Sequence, residues 1–447
     1  MPHRVRLSFR ATLAAIAGGA LALRVVFILV TEGNSPPTGD AVYFYGQGRA
    51  VGAGLGFIDP VIQQAVGLNI QAAHHPPLYP VFLALASKLV GVSPEWLRIA
   101  SACAGVAAVV VIGLVGRRAS GERAGLVAAG VAAVYPNVWA NDGLLLSEPL
   151  YALTIALVLL TSYRLWDDPR PREACFLGAA IGFAALTRAE AMLLVLILAL
   201  PLVVVCRMID RRQKLVLASI VVVSYGLVVA PWVMHNLYRF SEPVTISYGL
   251  AGVLPQANCD QTYYGEYLGY WHPDCSFLED TLTFAEKREC LQSRQRCADI
   301  YLARFSDESQ VAAIGQRMGL DYIEGHRGRV PVVVAARVGR MWGLFRPAQQ
   351  LRIDAVGEGR GVWVPRVALV AFYELVAVGV VGLVWLRRRG ALILPLLAMP
   401  ILVTVVAAIA IPVTRYRMPV EVALCVLAGV VVDEVLRRGR RRSSASG

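Results

Sequence analysis

Several stretches of this chain are apolar over lengths that approach or exceed the roughly 20 residues an α-helix needs to cross a hydrocarbon core. No other feature limits the possible folds as much. The first stretch follows Arg4, Arg6 and Arg10 and runs to Val30. Others fall at about residues 96–116, 124–140, 149–165, 174–187, 190–206, 215–234, 364–386, 391–411 and 419–436. Of the 447 residues, 57% are hydrophobic and 17% charged, against about 25% charged in ordinary soluble domains. A soluble protein of this size needs more polar cover than that. A soluble enzyme, a disordered chain and a small disulfide-stapled scaffold are excluded. The expectation is an all-α polytopic membrane protein with about ten transmembrane helices.

The arginines set the expected topology. With the N-terminus inside, the segments Arg117–Arg123, Asp167–Arg172, Arg207–Lys214, Arg387–Arg389 and Arg437–Arg442 all fall on the cytoplasmic side. This follows the positive-inside rule. The first run is long for a signal peptide, and Thr31-Glu32-Gly33 is a poor cleavage site, so it reads as a retained span. Pro76–Gly91 is apolar but short, and counting it as a span would invert everything after it. It is expected to lie at the outer interface or to be re-entrant. Three regions result: a core over 1–234 with a first outer loop at 31–95, a long outer loop at 235–362, and C-terminal helices with a basic tail over 363–447. The net charge of +12 is clustered at span ends, with no aromatic-interleaved basic patch, so nucleic acid is not an expected partner.

The cysteines test the compartment independently. Cys103, Cys175, Cys206 and Cys425 lie in or beside spans and read as small core residues. Cys259, Cys275, Cys290 and Cys297 share the long loop. An even set in one aqueous segment suggests disulfides in an oxidising compartment, most simply Cys259–Cys275 and Cys290–Cys297. A zinc site is the rival reading, though no close Cys-x-x-Cys pair is present.

Polar residues capable of chemistry gather at the outer ends of the spans. Gly39-Asp40 follows a Pro36-Pro37 break and precedes Tyr43-Phe44-Tyr45. A carboxylate there can serve as a base with a raised pKa, or as a helix N-cap. His74-His75-Pro76-Pro77-Leu78-Tyr79-Pro80 forms a rigid lead into a helix, and its histidines can bind phosphate, donate hydrogen bonds or ligate a metal. Glu148, before Pro149, is a helix-start residue or a functional carboxylate at membrane depth. Arg188 and Glu190 interrupt two apolar helices and can pair with each other. Arg415 and Arg417 sit at an outer interface against the positive-inside bias, which suits an anionic phosphate partner, with Glu421 as their structural alternative. The long loop adds Tyr263-Tyr264 and Tyr267 to Trp271, suited to sugar faces or to a membrane-interface belt. Arg337 to Pro347 is basic and aromatic, suited to clamping a lipid phosphate or to anchoring at headgroups. No P-loop, dinucleotide fingerprint or nucleophile elbow is present.

In order along the chain, Gly39-Asp40, His75-Pro76-Pro77-Leu78-Tyr79, Ser147-Glu148-Pro149-Leu150 and Leu186-Thr187-Arg188-Ala189-Glu190 resemble the GT-C glycosyltransferases. The nearest branch is that of the protein O-mannosyltransferases and lipid A aminoarabinose transferases. The likeness covers about residues 10–240, and Arg415-Tyr416-Arg417-Met418-Pro419 resembles a segment near the end of such proteins. It implies a GT-C-like helical bundle in the plasma (inner) membrane. It implies a polyprenyl-phosphate sugar donor and a glycan, lipid or protein acceptor on the extracytoplasmic face. Asp40 is then the catalytic carboxylate and Glu148 the second acidic position. His74, His75, Tyr79, Arg188, Arg415 and Arg417 are then the donor- and phosphate-binding residues. Many members carry two acids in the first loop, whereas Ala41 follows Asp40 here, and His75 stands where members often have Lys. An inverting transfer with a carboxylate base requires no cofactor, and a divalent metal between Asp40 and Glu148 is possible but not required. The alternative class is a transporter or lipid flippase, which predicts symmetric halves and charges at the bilayer midplane.

Overall fold

The computed structural model describes residues 8–445 except 273–274, 276–285, 287, 290–291, 294, 297–298, 301–306 and 410. Among the described residues there is no β-strand; an isolated bridge joins Ile58 to Gln71.

The N-terminal half runs as follows. Ser8 caps α1 (Phe9–Phe27) by accepting from the Ala11 amide, and the helix widens into a π turn, Ile28–Glu32. α2 (Asp40–Gly52), α3 (Pro60–Val66) and α4 (Leu78–Val90) make up the first outer region. α5 (Pro94–Ser120) ends in Arg117 and Arg118, where cations suit the helix C-terminus. α6 (Glu122–Val134) and α7 (Pro136–Trp139) are separated at Pro136, and α8 (Glu148–Asp167) and α9 (Pro171–Thr187) follow. The apolar run at 190–206 is broken into a 3₁₀ turn (Ala189–Leu193), a π turn (Val195–Ala199) and α10 (Leu200–Val205). α11 (Arg211–Arg239) begins at a capping box made by Asp210 and Gln213.

Residues 235–362 are not a simple loop. They include α12 (Gly249–Ala257), α13 (Asp260–Tyr263), α14 (Glu308–Gly325), α15 (Val330–Met341) and α16 (Pro347–Gly357). α17 (Trp363–Arg388), α18 (Leu394–Ile409) and α19 (Met418–Ala445) complete the chain.

By length and composition, five described helices are long and apolar enough to cross a membrane: Phe9–Glu32, Pro94–Ser120, Glu148–Asp167, Arg211–Arg239 and Trp363–Arg388. The other expected spans are also helical, but they are shorter, broken or more charged. At 1.5 Å per residue, α4 is about 20 Å long, short of a hydrocarbon core of ~30 Å.

α5 is the hub of the bundle, packing against α1, α6, α8 and α19, while α9 packs between α8 and α11. Small residues let these backbones approach closely, as membrane helix packing requires. A Cβ on Gly178 would lie 2.3 Å from the Val221 carbonyl oxygen, and one on Gly429 2.2 Å from that of Ala124. Inside the bundle Arg24 of α1 is fully buried and pairs with Asp142, also bonding the Ala133 carbonyl at 3.2 Å. Neither residue was singled out from the sequence, although a charge within an apolar run is the signal for such a pair.

The outer helices are tied to the bundle by polar contacts. Arg337 donates to Ala408 O of α18 at 3.4 Å and, within the outer region, to Ala257 O at 2.6 Å and Asn258 Oδ1 at 3.0 Å. Gln350 reaches Pro412 O at 2.9 Å. Asp354, 2% exposed, accepts from the Thr414 amide at 3.2 Å, the Thr414 hydroxyl at 2.6 Å and Tyr270 at 3.0 Å. Of the expected disulfides, Cys259–Cys275 is present, while Cys290 and Cys297 lie outside the described residues. Cys206 and Cys425 are buried as expected, but Cys103 and Cys175 are exposed on the surfaces of their helices rather than packed in the core.

Two measurements check this arrangement. Glu122→Cys and Gly328→Cys, both at exposed positions, should label from opposite sides of the membrane with an impermeant thiol reagent. Labelling from one side would overturn the topology. Non-reducing peptide mapping should recover a Cys259–Cys275 cross-linked peptide, and removing that bridge should cost the outer region about 2–4 kcal/mol.

Candidate active site

Asp40 is the first residue of α2, but it does not cap it. Gly39 holds the N-cap position at φ 54°, and no side chain bonds the helix start. The capping role expected as an alternative is therefore absent, and the carboxylate is left for other partners. Glycine is needed at this cap twice over. The positive φ favours it, and a Cβ there would lie 2.1 Å from the Gly357 carbonyl oxygen. Gly359 is bound the same way, at φ 67° with Thr38 Oγ1 2.0 Å from its Cβ position. The loop before Asp40 and the loop after α16 are thus pressed together.

Asp40 pairs with Arg415, and its side chain is 41% exposed while that of Arg415 is 8% exposed. Arg415 Nε also faces Glu148 Oε1 at 3.4 Å, and Glu148 is 1% exposed. Glu148 starts α8 with Pro149 behind it, as the Glu-Pro pair predicts. The same Glu148 Oε1 accepts from Arg188 Nη1 at 3.0 Å, and Arg188 Nε donates to Glu190 at 2.6 Å. The Arg188 guanidinium lies 3.8 Å from the centroid of the Tyr416 ring, and that of Arg415 is 5.6 Å from it. Two guanidinium groups and three carboxylates from four distant segments thus form one cluster. Glu148 Oε2 and Arg415 Nε are buried without a hydrogen-bond partner, which leaves bonding capacity for a ligand.

Charge decides the state of Asp40. Burial pushes its carboxyl up, but the Arg415 guanidinium beside it outweighs that and holds it below the usual carboxylate range. The raised pKa expected of a poised base is thus not found while Arg415 stays on Asp40. His74 and His75 flank the cluster. The His75 ring stacks on Phe44 at 4.3 Å and meets the His74 ring at 4.6 Å. Burial holds both imidazoles below their usual range, so they face Asp40 as neutral rings. His75 Nε2 is buried without a partner.

Two expected phosphate-binding residues are placed elsewhere. Tyr79 is fully buried, with its hydroxyl 2.8 Å from Ser101 Oγ and its ring against Phe44. Arg417 points into the bundle, 3.5 Å from Glu421 and 4.1 Å from the Phe372 centroid, so Glu421 is its structural partner. Glu358 and Arg360, which sequence reasoning passed over, bear on the cluster: Glu358 pairs with Arg360 at 2.5 Å and interacts electrostatically with Arg415. Their signal was the one that flagged Arg415, an arginine at an outer interface. Asp40 and Glu148 both face Arg415, and among the described residues no group of three or more His, Cys, Asp or Glu can hold a metal.

A family model described as dolichyl-phosphate-mannose-protein mannosyltransferase matches residues 74–235, which include His74, His75, Glu148 and Arg188 but neither Asp40 nor Arg415. No curated protein is similar enough to the sequence to match it. Among solved structures, an Archaeoglobus fulgidus oligosaccharyltransferase with zinc and sulfate superposes with a TM-score of 0.55 at 15% identity, over 96% of this chain and 50% of that one. The Archaeoglobus fulgidus oligosaccharyltransferase AglB with an inhibitory peptide and a dolichol-phosphate gives 0.54 at 16% identity, over 98% and 51%. ArnT from Cupriavidus metallidurans bound to undecaprenyl phosphate gives 0.44 at 17% identity, over 94% and 77%. The chain spans about half the length of the oligosaccharyltransferases it matches.

The two carboxylates differ in what they hold up. Glu148→Gln removes the buried partner of two arginines and should cost about 3–5 kcal/mol. Asp40→Asn, at a half-exposed pair, should stay within about 1 kcal/mol. Thermal melts of the purified protein check the order. The expected helical membrane fold is met, without the count of about ten spans: the chain shares its fold with the Archaeoglobus fulgidus oligosaccharyltransferases.

Proposed function

We propose that this chain is an inverting membrane glycosyltransferase that moves a sugar from a polyprenyl-phosphate carrier to a hydroxyl-bearing acceptor. The reaction is assigned to the extracytoplasmic face of the plasma membrane, where the positive-inside rule puts the cluster. The observation that carries this reading is Arg415, buried and shared between Asp40 and Glu148 beside Arg188. The match to a mannosyltransferase family model and the fold shared with a dolichol-phosphate-bound oligosaccharyltransferase support it.

In this scheme the phosphate of the donor draws Arg415 and Arg188, whose guanidinium groups suit phosphate oxygens bidentately. Arg415 then leaves Asp40, and the carboxylate regains proton affinity at the moment it is needed. The acceptor oxygen attacks the anomeric carbon as the bond from that carbon to the phosphate oxygen breaks. The acceptor proton goes to Asp40 and the bonding electron pair leaves with the polyprenyl phosphate. Arg415 and Arg188 stabilise the charge that develops on the leaving phosphate. Glu148 holds both guanidinium groups in place, and the neutral His75 can donate a hydrogen bond to the donor. No step requires a metal, because the two arginines supply the positive charge.

The test is a transfer assay of purified protein with a panel of polyprenyl-phosphate sugars and a cell-envelope glycan fraction. Asp40→Asn should slow turnover by roughly 10²–10⁴-fold, the usual range for loss of a general base. It should leave stabilisation by undecaprenyl phosphate intact, whereas Arg415→Ala should weaken that stabilisation. A folded Asp40→Asn protein working near the wild-type rate would remove Asp40 from the mechanism.

A further inference from the structure

Beside the Asp40 cluster lies a cavity of about 280 Å³ whose lining includes Phe27, Glu32, Arg98, Glu358, Arg360 and Trp363. It meets the cluster through Thr38, two residues before Asp40. Thr38 lines it, and the Thr38 carbonyl accepts from the Ala41 amide at 3.1 Å in the first turn of α2. The Gly359 segment of its wall is the one pressed against Thr38.

The lining was assembled with care for polar groups but leaves some unspent. Arg98, 2% exposed, is anchored to Gly143 O at 2.8 Å, Gly33 O at 2.6 Å and Ser35 O at 3.0 Å, which fixes the loop that forms one wall. Glu358 is 7% exposed and pairs with Arg360, yet neither of its carboxyl oxygens has a geometrically sound hydrogen bond, and Arg360 Nε has none. Burial pushes the Glu358 carboxyl up to about 7, against the pull of Arg360 and Arg415. Buried polar atoms without partners are rare in folded proteins and call for a ligand or water to satisfy them. At the rim, Trp363 is 58% exposed, and its indole edge lies 3.2–3.3 Å from the Cβ position of Gly361.

The chemistry of the lining selects the ligand. Two acids face two guanidinium groups, and burial raises both carboxyls, so the lining is close to neutral or weakly positive and its carboxyls can donate as well as accept hydrogen bonds. It offers converging acceptors and donors beside an indole, the combination that binds adjacent hydroxyls on one side and an apolar ring face on the other. An extended peptide is recognised through backbone ladders and alternating side-chain pockets, whereas the described lining lies on helices and loops and offers no strand edge.

We infer that this cavity is a subsite for a neutral sugar unit of the acceptor, held by Glu358 and Arg360 with Trp363 at its mouth. The inference rests on the glycosyltransferase reading above. It adds that the acceptor is a glycan, seated so that one hydroxyl reaches Asp40 over Thr38.

The test uses saturation-transfer NMR on the full chain in an amine-oxide detergent, which carries no sugar headgroup. The probes are the methyl glycosides of mannose, glucose, galactose and arabinose, with an acetylated Ser-Thr dipeptide amide as the peptide arm. At least one glycoside should bind. Glu358→Gln and Trp363→Ala should each weaken it by about tenfold, the loss expected for one buried hydrogen-bonding or stacking partner. Trp363→Ala removes a half-exposed rim residue, so it tests the site without a folding defect. Trp363→Ala should keep wild-type stabilisation by undecaprenyl phosphate. Binding of none of the glycosides, binding unchanged in both variants, or binding of the dipeptide alone would overturn the proposal. If undecaprenyl phosphate failed to stabilise even the wild type, the donor reading would fall instead, and glycoside binding would still be read separately.

Discussion

A single buried guanidinium holds the candidate site of this protein together. Arg415 reaches Asp40 at the start of α2 and Glu148 at the start of α8, and Glu148 in turn holds Arg188 after α9. Taking such groups out of water costs several kcal/mol per ion, and only mutual pairing with good geometry offsets it. The cluster therefore exists only when the bundle, the first outer loop and the segment before α19 are all in place. In that sense folding and assembly of the site are one event. The same pairing holds the Asp40 carboxyl below its usual range, a condition that a competing phosphate reverses in the proposed mechanism.

Much of this was legible in the sequence, residue by residue. Asp40, Glu148, Arg188 and Arg415 each stood out as a charge at an outer interface between apolar runs, where an unneeded charge is costly. The run lengths and arginine positions located the helices because lipid imposes a simple rule on both. What the sequence did not carry was mutual geometry. Asp40 and Arg415 are 375 positions apart, and nothing local says that one arginine serves two acids. Tyr79 looked like its neighbours His74 and His75 because it shares their motif, yet one helical turn points its hydroxyl to Ser101 and into the core. Arg417 follows Arg415 by two residues, and in a helical turn that spacing turns it away, toward Glu421 and Phe372.

The cap at Asp40 shows how backbone detail decides chemistry. An aspartate before an apolar helix is a good cap by every local criterion. Gly39 takes that position instead because the chain must pass against the Gly357 carbonyl, where only a residue without a Cβ fits. The steric demand of a loop–loop contact thereby frees a carboxylate. The same contact places the wall of the neighbouring cavity, so one close approach shapes both halves of the site.

The bonds from Asp354 to Thr414 have a consequence for how such proteins diversify. Asp354 belongs to α16, in the outer region, and Thr414 is the residue before Arg415. The outer helices are thus part of the mounting that aims Arg415. Exchanging this outer region for that of a relative would not simply graft a new acceptor preference onto an unchanged engine. It would carry away the bracket on which the engine is aligned, so specificity and chemistry here have to evolve as one piece.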